Sequence, residues 1–313
     1  MPTAKKYSLI GYSYGASGNI LGCRLGPDVL RQRGLIERIE ALGHSITEIG
    51  NVTPVDDEEA TSSTLEQASD VEKTINNFSS AYQSCKQLRD KVEEALTNGT
   101  TPLVMGGDHS LSAGSVAGVS NFYAKKSEKV GLIWIDTHPD INTPETSPSN
   151  NIFGMPIAFL LGLIPGVMGK LYASQQAIDP KNIVYIGLRD VDEGERARIK
   201  DLGITAYSMK EIDIHGLASV CHQAIDIASK GTAGFISSFD LDVCEPRLVP
   251  GTGTPMRGGL TYREAHLVNE LIWDSGSCIS LEIVELNPLL DQNFETADMA
   301  ISLIESMVGK SIL

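Results

Sequence analysis

GLIWIDTHPDINTPETSPSNNIFGMP, residues 131–156, opens on an uninterrupted apolar run, Gly131-Leu132-Ile133-Trp134-Ile135, and passes directly into Asp-Thr-His-Pro-Asp. A short run with no polar alternation predicts a strand buried on both faces, as in a parallel sheet covered by helices. Side chains alternate along an extended segment, so Asp136, His138 and Asp140 should point to one side where the strand ends. Two carboxylates and an imidazole on one side suit a divalent cation.

Working outward, further strands are expected at 7–12, 101–105, 182–187, 203–207, 234–239 and 278–284, with helical patterns between most of them. Strands alternating with helices imply parallel βαβ units. The expected fold is therefore α/β, a single-domain three-layer αβα arrangement over residues 1–313 with a mostly parallel sheet of about eight strands. An amphipathic helix should start near Pro27 and carry Leu30, Leu35, Ile36 and Ile39. A longer one is expected over 70–96, where apolar residues recur at steps of three and four, with Asn98-Gly99 as its stop. The polar stretch 51–69, with Asp56-Asp57-Glu58-Glu59 and no clear period, reads as a surface loop. A last helix should cover 296–309. The glycine-rich loop 15–22 follows a strand but has neither GxGxxG nor GxxxxGK[ST], which argues against a phosphate cradle.

Composition narrows the class. The 313 residues are 42% hydrophobic and 21% charged, ordinary for a globular protein. With 25 Lys and Arg against 40 Asp and Glu, the formal charge of −15 argues against a nucleic-acid partner. It is compatible with steering a cationic substrate. No apolar run reaches membrane-spanning length, and the N-terminus lacks a signal-peptide pattern, so a cytoplasmic location is expected. Five scattered cysteines without a CxxC read as reduced thiols rather than a disulfide framework or a zinc knuckle.

A second constellation follows the run Gly234–Phe239, which ends in Asp240-Leu241-Asp242. A third is Gly106-Gly107-Asp108-His109-Ser110, after the 101–105 strand. His109, Asp136, His138, Asp140, Asp240 and Asp242 are too many ligands for one ion. They suit two hard divalent ions sharing bridging carboxylates, and a set rich in oxygen with imidazole and no thiolate points to manganese ahead of zinc. Ligand sites in open parallel sheets lie at the carboxyl ends of strands, where all three motifs fall.

The motifs GGDHS (106–110), DTHPDIN (136–142), SFDLD (238–242), GTGTPMRGGLTYREA (251–265) and EIVELNP (282–288) together resemble those of the arginases, within the ureohydrolase family. GYSYG, LGPDVLR and YIGLRDVDEGE extend the likeness over nearly the whole chain. The resemblance implies two Mn2+ per subunit held by His109, Asp136, His138, Asp140, Asp240 and Asp242. It also implies attack of a metal-bridging hydroxide on the guanidinium carbon of L-arginine, giving ornithine and urea. Asp140 would carry the proton to the departing amine, and Glu285 would pair with the guanidinium. Asn142, Ser147, Ser149, Asn151 and Gly154 fall in the loop that grips the substrate's α-carboxylate in the family, with Asp192 and Glu195 on the α-amine. That loop favours arginine over agmatine, since hydroxyls and amides set for a carboxylate would otherwise be left unpaired. Family resemblance further implies a homotrimer or homohexamer, with Tyr262-Arg263-Glu264 at the contact.

Two departures stand out against the family pattern. Phe153 occupies the place of a histidine thought to shuttle protons, which implies an altered proton path. Val243-Cys244-Glu245-Pro246 replaces the more usual Gly-Leu-Asp-Pro, which bears on groups behind the metal ligands. Alternative readings are a ureohydrolase acting on agmatine or guanidinobutyrate, and a catalytically weak homologue that binds arginine in a regulatory role.

Overall fold

A computed structural model describes residues 4–15, 21–54, 58–174 and 176–313; Asp56-Asp57 and most of the glycine-rich loop lie outside the described residues. Eight strands build one sheet: β1 (Lys6–Tyr12), β2 (Ser45–Val52), β3 (Thr101–Met105), β4 (Gly131–Ile135), β5 (Ile183–Leu188), β6 (Thr205–Ser208), β7 (Phe235–Asp240) and β8 (Cys278–Val284). Their spatial order is β2-β1-β3-β8-β7-β4-β5-β6. Every neighbouring pair is parallel. The four central strands, β3, β8, β7 and β4, are therefore contiguous, and they are the ones that end in the motifs.

Alternation along these strands feeds two separate cores. Leu132 and Trp134 of β4 join Val104 of β3 in one hydrophobic cluster, while Ile133 and Ile135 join Leu103 and Met105 in the other. Helices Phe78–Thr97 and Ser112–Ala124 cover the first face, and Leu217–Ser229, Tyr262–Asp274 and Glu295–Met307 cover the second. The result is the expected three-layer α/β arrangement, its sheet wholly parallel rather than mostly so.

Three local expectations need correction. The stretch 51–69 is not one loop: it contains the end of β2 and a helix, Glu58–Gln67. β2 lies at the sheet edge and pairs only with β1, so it needs no continuous apolar run to announce it. The helix expected over 70–96 begins only at Phe78. Upstream, the Glu72 carboxylate accepts the backbone N–H groups of Ser69, Val167 and Met168, each at 2.9 Å, which holds Glu72–Thr74 as a separate tight turn. Asn77, at φ 55°, then turns the chain into the helix. Likewise the helix expected from Pro27 is two, Gly26–Gln32 and Leu35–Ala41, separated at Gly34, whose φ of 83° breaks helical continuity.

Gly114 lets the two helices on the first face approach closely, because a Cβ there would sit 2.4 Å from the Cys85 carbonyl oxygen. Gly114→Ala is expected to cost about 1–3 kcal/mol through overpacking, read as a lower urea midpoint with an unchanged slope.

Candidate metal centre

Aspartates after the central strands are set by one repeated local device. Asp136 Oδ1 accepts the His138 N–H at 2.7 Å, and Asp240 Oδ1 accepts the Asp242 N–H at 2.7 Å. Asp108 Oδ1 takes the Ser110 N–H in the same way, at 3.2 Å. An Asp side chain that bonds the backbone two residues on fixes a turn and leaves its second oxygen free to face elsewhere. At Asp136 and Asp240 that second oxygen turns toward His109.

His109 reaches this point because Gly106-Gly107 allows a tight passage at the end of β3. A Cβ on Gly107 would lie 2.4 Å from the Tyr14 carbonyl oxygen and 2.5 Å from that of Tyr12. The His109 Nδ1 atom then lies 3.0 Å from Asp136 Oδ2, 3.3 Å from Asp140 Oδ2 and 3.2 Å from Asp240 Oδ2. His138 Nδ1 lies 3.1 Å from Asp242 Oδ2 and 3.5 Å from Asp136 Oδ1. Two donor groups result, His109 with Asp136 and Asp140, and Asp136 with His138 and Asp242; within each, the donor atoms all lie within 4.8 Å of one another. Asp136 belongs to both and offers one oxygen to each.

The donors fit cations. His109 Nδ1 and Asp136 Oδ2 are buried and complete no hydrogen bond although they face each other, so their contact is one of charge and direction. Asp136, Asp140, Asp240 and Asp242 are all at most 5% exposed. Carboxylates packed this tightly away from water are costly without a positive partner. Burial disfavours a charged His109 ring, but Asp136, Asp140 and Asp240 more than offset it and hold the ring protonated well above its usual range. His138 is raised likewise: burial opposes the charge and Asp242 and Asp136 overcome it. Burial, then the neighbouring Asp136, pushes the Asp140 carboxyl up to about 6, and burial with Asp242 and Asp136 raises Asp240 further.

Beside the donors is a cavity of about 130 Å³ lined by His138, Asp140, Asn142, Ser147, Pro148, Ser149, Phe153, Gly154, Asp190, Asp192, Glu195 and Thr254. Asn142 donates to Asp192 Oδ2 at 2.9 Å, which ties the polar loop to the start of helix Glu193–Leu202. Glu195 accepts the N–H groups of Ile141 and Asp192, and burial, with Asp140 nearby, pushes its carboxyl up to about 8. Asn151 is not among the lining residues; it is buried, and its Oδ1 accepts from Asn76 Nδ2 at 3.1 Å. Glu285 also lies outside this lining. It has a φ of 66°, its Oε1 accepts the His109 N–H at 2.8 Å, and its Oε2 accepts from the Cys23 thiol at 3.3 Å. Burial and Asp108 push its carboxyl up to about 8.

Several contributors carry no signal of their own in the sequence. Trp134 stacks on the His109 ring at 3.9 Å, with 6° between the planes. Arg189 donates to the carbonyls of Asp242 (2.8 Å), Val243 (3.0 Å) and Met256 (2.8 Å), drawing three segments together behind His138 and Asp242. Thr254 Oγ1 donates to Asp242 Oδ2 at 3.0 Å, and Asp190 Oδ2 lies 3.6 Å from His138 Nε2. Glu245 accepts from the N–H groups of Gly258 and Gly259 at 2.8 and 3.2 Å, so its longer side chain serves the loop that carries Thr254 rather than the donors directly.

A cation entering this cluster must displace the protons held on His109, His138 and Asp240, and at lower pH the one on Asp140 as well. Lower pH keeps those protons in place, so affinity for a divalent ion should rise with pH and fall as pH drops through about 6. Equilibrium metal titrations at several pH values check this; affinity independent of pH over that range contradicts it.

Against known proteins, residues 5–309 match the family model described as "Arginase family". The chain is 38% identical over 309 residues to the arginase of Bacillus subtilis (strain 168), covering 99% of each chain. Its fold is similar to the solved arginase of Bacillus caldovelox, with a TM-score of 0.89 at 36% identity over 99% of this chain and 100% of that one. An Entamoeba histolytica arginase solved in complex with L-ornithine gives a TM-score of 0.87 at 28% identity, covering 99% of both chains. With a whole-length family match, relatives above 30% identity and the same fold, the chain belongs to the arginase family, hydrolases of the C–N bond of linear amidines.

Proposed function

We propose that the protein hydrolyses L-arginine to L-ornithine and urea at a pair of Mn2+ ions held by His109, Asp136, His138, Asp140, Asp240 and Asp242. The observation that carries this reading is the sharing of Asp136 between two donor groups at the wall of a cavity whose other walls are hydroxyls, amides and carboxylates. When bound, such a pair of ions would lower the pKa of a water molecule and supply a nucleophile near neutral pH. Everything else falls to the chain's own groups.

In the cavity, Ser147 and Ser149 with Asn142 suit an α-carboxylate, while Asp192 and Glu195 suit an α-ammonium. A guanidinium directed from there toward Asp140 meets the donor cluster, with Glu285 behind His109 as its partner in charge. Addition of water to the guanidinium carbon and loss of the C–N bond to the ornithine nitrogen require one proton to move to the leaving amine. Asp140 faces both the cluster and the cavity and carries that proton. Agmatine and guanidinobutyrate lack the α-carboxylate or the α-amine, so they leave part of this polar wall unpaired. The relative solved with L-ornithine supports the same choice.

Phe153 lines this cavity beside Gly154 and can neither take up nor release a proton. The proton path to solvent then runs without a side-chain relay at that position. A homotrimer or homohexamer is proposed for the assembly, with the exposed Tyr262 beside Arg263, whose guanidinium rests on Glu270 at 2.6 Å. The unbroken sheet supports reading residues 1–313 as one domain.

Manganese-loaded protein is expected to release urea from arginine with a kcat/KM well above that for agmatine or guanidinobutyrate; a preference for either alternative overturns the substrate assignment. Phe153→His is expected to raise kcat, by up to about 10²-fold if proton transfer limits turnover. No rise anywhere between about pH 7 and 10 removes the altered proton path from the account.

A further inference from the structure

One row of side chains crosses the four central strands beneath His109. The register pairs Trp134 of β4 with Ser238 of β7, Ser238 with Glu282 of β8, and Glu282 with Val104 of β3. Registered neighbours in a sheet present their side chains to the same face. Trp134 supports the flat of the His109 ring, and Ser238 Oγ lies 2.9 Å from His109 Nε2. The ring is thus held on its face and at its far nitrogen, leaving Nδ1 toward Asp136, Asp140 and Asp240.

Glu282 is the unexpected member of this row. It is wholly buried in the middle of the sheet, where a carboxylate is costly to keep. Its partners are hydroxyls: Ser112 Oγ donates to Oε2 at 2.5 Å and Ser115 donates to Oε1, while Ser112 Oγ also lies 3.5 Å from Ser238 Oγ on the neighbouring strand. Ser112 and Ser115 sit one turn apart at the start of helix Ser112–Ala124, so helix and sheet both converge on this one group.

We propose that Glu282 is a positioning residue for the metal centre, fixing through Ser112 and Ser238 which nitrogen of His109 carries the ring proton. The argument is a count of protons. A carboxylate only accepts, so the hydroxyl proton of Ser112 goes to Glu282 and the Ser112 oxygen accepts the single hydroxyl proton of Ser238. The lone pairs of that hydroxyl are then left to accept the Nε2–H of His109, and a ring protonated at Nε2 offers Nδ1 as the donor to a cation. A glutamine at 282 reverses the direction. Its amide donates to Ser112, whose proton can then turn to Ser238 and that of Ser238 to Nε2, favouring the tautomer whose Nδ1 is blocked by hydrogen.

This inference rests on the reading of the cluster as a two-ion site, and its test separates the two. Mn2+ is titrated against a competing chelator into the wild type, Glu282→Gln and Ser238→Ala, with thermal melting of each metal-free protein in parallel. Both variants should bind one of the two ions about 10- to 100-fold more weakly while the other is unchanged, with no fall in the metal-free melting temperature. Should Glu282→Gln not fold, Ser238→Ala decides alone, since there Ser112 and Ser115 still satisfy the carboxylate. Variants that hold both ions as tightly as the wild type overturn the proposal and leave the two-ion site standing. So does equal weakening of both ions together with a lower metal-free melting temperature, which marks a purely structural role. A wild type that holds no ion overturns the two-ion reading and this proposal with it.

Discussion

Mutual repulsion among four buried aspartates is the constraint to which the centre of this molecule answers. Their oxygens lie around His109 and His138 at distances of 3.0–3.5 Å, in a region nearly closed to water. Without positive charge such a group opposes folding. The metal-free protein meets the cost by holding protons on both rings and on Asp240. Divalent cations meet it better, because each replaces those protons and engages several oxygens at once. The sheet order follows from the same need: adjacent parallel strands β3, β8, β7 and β4 bring motifs far apart in sequence to one edge of the sheet.

Much of this was legible in the sequence, for a physical reason. Strands buried on both faces are largely apolar, so β3 and β4 stood out with correct limits. Asp-x-His-x-Asp and Asp-x-Asp after such strands were readable as donors because alternation alone places them on one side. β2 was not readable, since an edge strand with partly exposed residues carries no continuous pattern. Nor were Ser238, Glu282 and Arg189 readable as parts of the centre. Their contributions depend on cross-strand register and on carbonyls from separate loops, neither of which leaves a local mark.

The cavity shows how a common centre becomes selective. The Asp136 to Pro156 segment serves two tasks, with donors at its start and a polar wall along its middle. The wall is held by internal bonds, Asn142 to Asp192 and Asn151 to Asn76, rather than left as a free loop. Under the proposed function, such preorganisation would favour a ligand bearing both a carboxylate and an amine. Phe153 stands within that wall as an apolar surface among polar ones. Under the proposed function it would leave ligand recognition in place without a proton relay at that position.

Anomalous scattering from a manganese-soaked crystal addresses the central claim most directly. The account predicts two peaks per chain, about 3.5–4 Å apart, one among His109, Asp136, Asp140 and Asp240 and the other among Asp136, His138 and Asp242. A single peak, or peaks lying away from these side chains, would contradict it.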